Sequence, residues 1–318
     1  MNLENQQFRM VLEQGRIVEL VEKRYPQVNL ADYKGKFGLA CFTRKEEDIR
    51  SLPHELYSPY AEHHADYTEC VVAGDDRVLC KDAENGIMTE YHLEEDALVI
   101  TTQTVNDGIS GFGMQVDMNF LGKKGTSFRE QILPSSPYTS ADRKYTYCIM
   151  TRPNGRFVVA CATTECDGWR ICYAPFACAH YTWGFQFLAS FDQVYGGSGR
   201  KQLSIKLQCV DTLEEAYEKV YAAFGKPMCI NMINGGFDGK AKIKLYGQAD
   251  FLQLQTPSGE LRRIPVQQEL TLKEFGLHTV TPVIKGEQGL NTTVWHGGTY
   301  MRCSKKKLRC YSEAVPLR

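Results

Sequence analysis

Short runs of β-branched and aromatic residues, separated by turn-forming residues, occupy the middle of the chain. About ten such runs follow one another from Tyr67 to Val210, and no helical pattern interrupts them. Pro153-Asn154-Gly155 joins two of the runs and is typical of a hairpin turn. Strands that follow one another without crossover helices form antiparallel sheets, which bury their apolar sides by packing face to face. The pattern therefore predicts a mainly β fold with a large antiparallel sandwich.

The helical period is found at two places in the chain. Residues 6–23 put several apolar side chains roughly on one helical face, although Gly15 weakens the pattern. Residues 212–224 follow the period closely, begin with a capping box at Thr212 and stop at Gly225. We therefore expect an N-terminal helix and a second helix that closes the large sandwich and links it to the C-terminal part of the chain.

Residues 228–303 contain a second series of six or seven short strand-like runs. A segment of this length and pattern is typical of a small immunoglobulin-like sandwich, although the Cys…Trp…Cys spacing of a true immunoglobulin domain is absent. We therefore predict two domains. The large sandwich, with both helices, takes residues 1–226, and the immunoglobulin-like sandwich, with a basic tail, takes residues 227–318.

Composition and charge exclude several classes of protein. The 318-residue chain is 43% hydrophobic and 24% charged, as an ordinary folded protein is, and its formal net charge is −1. That charge gives no reason to expect nucleic acid or a membrane surface as a partner. No run of about eighteen apolar residues could span a membrane, and the segment Met1–Arg9 lacks an apolar signal-peptide core. We expect a cytoplasmic location if Met1 is the true start.

The twelve cysteines allow three interpretations, which are buried thiols, a metal site and disulfides. No C-x-x-C pair occurs, and no export signal accompanies the cysteines. Most of them lie in apolar strand-like runs, where a free cysteine packs as a small apolar residue. We favour reduced, metal-free, buried thiols, and we expect no cofactor.

No complete catalytic constellation of a familiar kind is present. Neither a G-x-S-x-G nucleophile motif nor an H-E-x-x-H zinc motif occurs. His63 and His64, with Asp66 and Glu69 nearby, form the densest group of potential metal ligands. Adjacent residues of a strand point to opposite sides, so the two imidazoles could not easily share one ion. The catalytic residues, if the chain has any, are unknown from the sequence, and no metal site is predicted.

Glu165 and Asp167 form a candidate pair of carboxylates. Residues i and i+2 of a strand share one side, and glycoside hydrolysis needs two carboxyl groups about 5–10 Å apart. An acidic hairpin loop has the same appearance in sequence, so the pair alone does not predict catalysis.

Aromatic residues are enriched between residues 169 and 187, which contain seven of them. Sugar rings can stack their apolar C–H faces on such side chains, but several aromatics on one side of a strand are also typical of a core. If the chain contacts a glycan, we expect the contact to include Trp169, Arg170 and Trp183, together with Glu165 and Asp167. We expect Trp169 to be the more exposed tryptophan and Trp183 to belong to the core.

The layout resembles a known kind of protein region. The features that carry this resemblance are the stretch 112–120, the loop 133–138, the hairpin 153–155, the aromatic strand with Trp183 and the closing helix from Thr212. With these features, the layout resembles the N-terminal β-supersandwich domain that precedes an (α/α)6-barrel in several bacterial carbohydrate-active enzymes. The small sandwich is similar to the immunoglobulin-like modules of such enzymes. These are architectural features, and no catalytic motif is among them.

The resemblance implies a role in glycan degradation of the glycoside hydrolase or polysaccharide lyase type. In those enzymes the general acid lies mainly on the helical barrel, and this chain contains no helical repeat. It would then be a noncatalytic β region that supports or recognises carbohydrate, with a helical catalytic domain or subunit as its partner. Two alternatives stay open, which are a complete small carbohydrate-active enzyme with carboxylates between strands and a structural protein without a ligand. The sequence does not indicate which sugar, linkage or oligomeric state applies.

Overall fold

A computed structural model describes most of the chain. The chain folds into two compact units. The described residues are 1–31, 37–44, 63–118, 132–140, 144–151, 156–164, 169–177, 183–191, 201–297, 299–303 and 307–311. The first unit is Met1–Val220 and the second is Tyr221–Arg318. In these residues, strands dominate, every strand ladder is antiparallel and one α-helix is present, so the predicted mainly β sandwich class is confirmed.

The first unit contains sixteen described strands. In chain order they are β1 (Asn2–Glu4), β2 (Phe8–Glu13), β3 (Arg16–Glu22), β4 (Leu39–Arg44), β5 (His63–His64), β6 (Glu69–Val72), β7 (Arg77–Asp82), β8 (Ile87–Leu93), β9 (Leu98–Thr104), β10 (Ile109–Met118), β11 (Ile132–Thr139), β12 (Tyr145–Thr151), β13 (Phe157–Thr164), β14 (Trp169–Ala177), β15 (Trp183–Phe191) and β16 (Lys201–Val210).

These strands form three antiparallel sheets. The largest has eight strands in the order β11-β12-β13-β16-β9-β8-β7-β6, the second has the order β14-β15-β10-β4-β5, and the third is β1-β2-β3. One cluster of buried apolar side chains includes residues from all three sheets, for example Phe8, Phe42 and Ile100. Burial of this shared apolar surface is the main force that holds the sheets together.

The second unit contains ten described strands. They follow α1 (Leu213–Phe224) and are β17 (Met228–Ile233), β18 (Lys240–Tyr246), β19 (Phe251–Gln255), β20 (Leu261–Ile264), β21 (Glu269–Thr271), β22 (Gly276–Ile284), β23 (Glu287–Gln288), β24 (Thr292–His296), β25 (Thr299–Cys303) and β26 (Lys307–Tyr311).

Two sheets of the second unit share one apolar core. One sheet has three strands in the order β17-β18-β21. The other has five strands: four follow the order β20-β19-β22-β23, and β24 also pairs with β22. Ile243 from the first sheet and Leu252 from the second lie in the same buried cluster. A small sandwich is therefore present, and its immunoglobulin-like character stays a prediction.

Helix α1 begins and ends as its sequence predicts. The backbone N–H of Glu215 donates to Oγ1 of Thr212 at 3.1 Å, and the N–H of Thr212 donates to Oε2 of Glu215 at 3.3 Å. This reciprocal pair is the predicted capping box. Gly225 has φ +63°, a left-handed conformation that ends the helix. With twelve residues, the helix found in the described part of the chain is too short to cross a membrane.

The N-terminal segment is a β-hairpin, so the helix predicted over residues 6–23 is wrong. Strands β2 and β3 pair there, and only Gln14 and Gly15 connect them. Both residues have positive φ, 50° and 71°. A two-residue turn of this kind matches the twist of paired strands, whereas a helix excludes it.

The apolar spacing of the segment fits both periods, which explains the error. Phe8, Met10 and Leu12 alternate with more exposed residues and are buried in the core of the first unit. Phe8, Val11 and Leu12 also stand at i, i+3 and i+4, which is the spacing of one helical face, and this set led to the helical prediction. The glycine that weakens a helix is the residue that this turn requires.

The cysteines depart from the sequence-based expectation at one place. Cys70 and Cys80 form a disulfide, so the prediction that all cysteines are reduced is wrong for this pair. They lie directly opposite each other on β6 and β7, a proximity that register creates and that spacing in the sequence does not reveal. The described free cysteines, Cys41, Cys148, Cys161, Cys209 and Cys229, are all buried, as expected.

Native alkylation is expected to spare the buried thiols. Burial raises the pKa of Cys148 and of Cys229 to about 12, so the reactive thiolate is scarce at neutral pH. Iodoacetamide at pH ~7 should leave both unmodified until urea is added. Trypsin cleaves after Arg77, so peptide mapping should find Cys70 and Cys80 on two peptides that separate only after reduction. Alkylation of native Cys148 as fast as in urea, or of Cys70 without reductant, would contradict this expectation.

Candidate functional site

Two of the residues predicted from the sequence, Trp169 and Trp183, lie at separate places on one hairpin. Trp169 begins β14 and lies opposite Phe191, whereas Trp183 begins β15 and lies opposite Ala177. The tryptophans are therefore at opposite ends of the hairpin, about 27 Å apart along the strands at about 3.4 Å per residue. One stacking site cannot include both of them.

The other three predicted residues belong to the same part of the chain. Arg170 is next to Trp169 and lies opposite Ser190. Glu165 and Asp167 lie outside the described residues. The role of all five residues in glycan contact stays a prediction.

The adjacent histidines of the first unit, His63 and His64, pair with the neighbouring strand β4. His63 stacks on Phe42 with ring centroids 5.3 Å apart, and His64 lies opposite Cys41. Within the ranges that the structure describes, no three side chains of His, Cys, Asp or Glu are grouped as metal ligands.

The five-stranded sheet of the second unit has one buried side and one side toward solvent. Leu252 and Leu254 of β19 are buried, whereas Phe251 and Gln253 are half-buried and Gln255 is exposed. This alternation is what a strand with one side in a core produces. We call the solvent side of this sheet the outer face. Its principal members are Phe251, Gln253, Gln255, Arg263, Thr279 and Trp295.

Uncharged polar side chains lie in register across the middle of the outer face. Gln255 lies opposite Leu261 on one side and Thr279 on the other. Thr279 in turn lies opposite Thr293 of β24. Facing residues of neighbouring strands have Cβ atoms about 4.5–5.5 Å apart, so their side chains form one continuous row.

Trp295 is held firmly at one end of the outer face. Its backbone N–H donates to Oδ1 of Asn234 at 2.9 Å, and its carbonyl accepts from Gly235 at 2.7 Å. Its indole Nε1–H donates to the carbonyl of Gly297 at 2.8 Å. The side chain is half-buried, and the indole hydrogen bond orients its ring before any ligand binds.

A second aromatic group lies toward the other end of the face. The guanidinium of Arg263 is 3.8 Å from the centroid of the Phe251 ring, a cation–π contact. Gln253 lies opposite Arg263 and also opposite Thr281, which is buried. Among the described positions on this side of the sheet, Arg263 is the one charged side chain.

The chemistry of the outer face suits a ligand with both apolar and polar surfaces. Amide and hydroxyl side chains both donate and accept hydrogen bonds, and the aromatic rings offer apolar faces. A sugar chain has hydroxyl groups of the same kind and C–H faces that stack. Sequence reasoning missed this face, although the alternation Phe251-Leu252-Gln253-Leu254-Gln255 already indicates a strand with an amide-bearing solvent side.

Comparison with known proteins shows similarity in fold. No family model and no curated protein matches the sequence. A polysaccharide lyase of known structure is similar over 93% of this chain, with a TM-score of 0.52 and 13% sequence identity. The matched region is 47% of the lyase, so this chain spans about half of the lyase's length. At this identity the similarity establishes the arrangement of strands and not the activity.

Two further structures are similar at lower TM-scores. A galactose mutarotase-like protein from Lactobacillus casei matches 66% of this chain and 99% of its own, with a TM-score of 0.40 and 13% identity. A family GH92 α-mannosidase from Bacteroides thetaiotaomicron matches 78% of this chain and 37% of its own, with a TM-score of 0.32 and 14% identity. Neither TM-score is high enough for a conclusion about this protein.

Proposed function

We propose that this chain is a noncatalytic, carbohydrate-binding β region of a glycan-degrading enzyme, and that the outer face contacts the glycan. The observation that carries the proposal is the outer face itself, where the fixed Trp295 lies beside uncharged hydrogen-bonding side chains in register. Binding sites of this kind combine an apolar ring surface with a few oriented polar groups.

The similarity in fold to part of a polysaccharide lyase supports a place within a glycan-degrading enzyme, of either the glycoside hydrolase or the polysaccharide lyase type. A helical catalytic domain or subunit is then the partner, and the β region recognises or positions the substrate. The residues predicted from the sequence, Trp169, Arg170, Trp183, Glu165 and Asp167, are candidates for a further glycan contact in the first unit. Glycan cleavage by the purified chain would contradict the noncatalytic role.

Trp295→Ala is expected to weaken oligosaccharide binding. Aromatic stacking contributes roughly 0.5–1.5 kcal/mol beyond burial, which corresponds to about a two- to tenfold loss of affinity. Gln255→Ala is expected to have an effect of similar size, because a hydrogen bond contributes about 0.5–1.5 kcal/mol. Calorimetric titration of the full chain measures both, after a glycan array has identified an oligosaccharide that binds.

A control comes from an exposed residue outside the face. Gln267 is exposed before β21 and matches Gln255 in chemistry. Gln267→Ala should bind as the parent does. Melting temperatures are recorded for each variant, because Trp295→Ala also removes an indole hydrogen bond, whereas Gln255→Ala changes an exposed side chain. The proposal fails if no glycan binds, or if Gln255→Ala and Trp295→Ala both bind as tightly as the parent.

A further inference from the structure

The two aromatic groups of the outer face lie at opposite corners of the sheet. Trp295 pairs with Leu277, and Phe251 pairs with Val283, six residues further along β22. Strands β19 and β24 lie on opposite sides of β22. At about 3.4 Å per residue and about 4.8 Å per strand, the separation is about 20 Å along the sheet and about 10 Å across it. A monosaccharide cannot contact both aromatics, but a chain of several sugar rings can.

The surface between these corners is uncharged. Gln253, Gln255, Thr279 and Thr293 occupy it, and each can donate and accept hydrogen bonds. Arg263 lies over the ring of Phe251 and is a single cation. A polyanionic glycan repeats its charge along the chain, and its recognition calls for a series of basic side chains. The outer face offers no such series at the positions that the structure describes.

We infer that the outer face binds an extended, uncharged polysaccharide that runs diagonally from Trp295 to Phe251. This inference rests on the proposed carbohydrate-binding function and narrows it to a class of ligand. Acidic glycans such as uronic acid polymers are excluded as the preferred ligand of this face. Recognition depends on stacking at Trp295, on contact with the Phe251–Arg263 pair at the other corner, and on hydrogen bonds with the uncharged side chains between them.

The experiment compares neutral and acidic polysaccharides on the full chain. The probes are galactomannan and mixed-linkage β-glucan against polygalacturonate and alginate, in affinity electrophoresis and calorimetry. We expect at least one neutral polymer to bind about tenfold more tightly than either acidic one, and its affinity to change less than about twofold between about 0.05 and 0.5 M salt. A hexasaccharide of that polymer should bind about tenfold more tightly than its disaccharide, because only the longer chain contacts the Phe251–Arg263 pair as well as Trp295.

Substitutions at the two aromatic corners test whether the polysaccharide binds at the outer face. Trp295→Ala and Phe251→Ala should each weaken hexasaccharide binding several-fold and reduce the advantage of the hexasaccharide over the disaccharide. Gln267→Ala, outside the face, should change neither affinity. Circular dichroism confirms that each variant is folded before its affinity is interpreted.

The outcomes separate this inference from the proposed function. Binding of acidic polymers as tight as that of neutral ones, with a strong dependence on salt, would overturn the neutral ligand and leave carbohydrate binding intact. Neutral binding that neither corner variant weakens would also overturn the inference, because the contact would then lie elsewhere on the chain. Absence of binding to every polymer would overturn both.

Discussion

Arg156→Met is expected to destabilise the first unit by about 3–5 kcal/mol, the typical cost of breaking a buried ion pair by removing one partner. The Arg156 side chain is 5% exposed, with Nη1 2.6 Å from Oε1 of Glu22 and Nε 2.7 Å from Oδ1 of Asp211. Its guanidinium also lies 4.3 Å from the centroid of the Tyr25 ring. Because Glu22 is itself only 6% exposed, the substitution would leave a buried carboxylate without its closest cation.

Arg24→Met is the matched control for this effect. Arg24 contacts the same two carboxylates, Glu22 at 3.3 Å and Asp211 at 3.0 Å, but its side chain is 55% exposed. Solvent screens such a pair, so the expected loss is at most about 1 kcal/mol. Urea unfolding of both variants measures the difference.

A double variant tests the cause of the destabilisation. Arg156→Met combined with Glu22→Leu removes the buried charge as well as its partner, and it should recover part of the lost free energy of unfolding. Equal stability of the Arg156→Met and Arg24→Met proteins would show that burial does not strengthen this contact.

Gly15→Ala is expected to destabilise the same unit by about 2–5 kcal/mol. A left-handed backbone costs a non-glycine residue about 1–2 kcal/mol, and overpacking costs about 1–3 kcal/mol more. Gly15 has φ +71°, and a methyl group added to its Cα would overlap the buried ring of Tyr67. That ring cannot easily move, because its hydroxyl is 2.5 Å from Oγ1 of Thr89 inside the core.

Gly86→Ala is the control that measures the free-energy cost of a left-handed backbone without any overlap of side chains. Gly86 also lies in a hairpin of the first unit and has φ +64°, but the nearest atom to an added methyl group is 3.8 Å away. Its expected loss is therefore the backbone cost alone, about 1–2 kcal/mol. Urea midpoints of the two variants give the comparison. If Gly15→Ala unfolds at the same midpoint as Gly86→Ala, the overlap with Tyr67 has no energetic consequence.

Several features of the fold could be predicted because they depend on neighbouring residues in the chain. The capping box from Thr212 to Glu215 and the stop at Gly225 are local interactions, and the structure contains both. The mainly β class also follows from local pattern, since β-branched and aromatic runs between turn residues favour strands wherever they occur.

The candidate site was less predictable, because it is assembled from separate strands. Gln255, Thr279 and Thr293 are far apart in the sequence, and only the pairing of β19, β22 and β24 puts them in one row. The sequence drew attention to the aromatic residues of β14 and β15, where register places Trp169 and Trp183 at opposite ends of the hairpin. Local enrichment in aromatics therefore did not correspond to one site.

The sequence by itself determined the strand-rich class and the helix at 213–224, because both depend on propensities and contacts within a few residues. Only the tertiary structure decided that residues 8–22 form a hairpin, that Cys70 meets Cys80, and that Arg156 is buried against Glu22. Each of these depends on register between strands or on a partner distant in sequence. Strand pairing and core burial select among local conformations that the sequence leaves nearly equal in free energy.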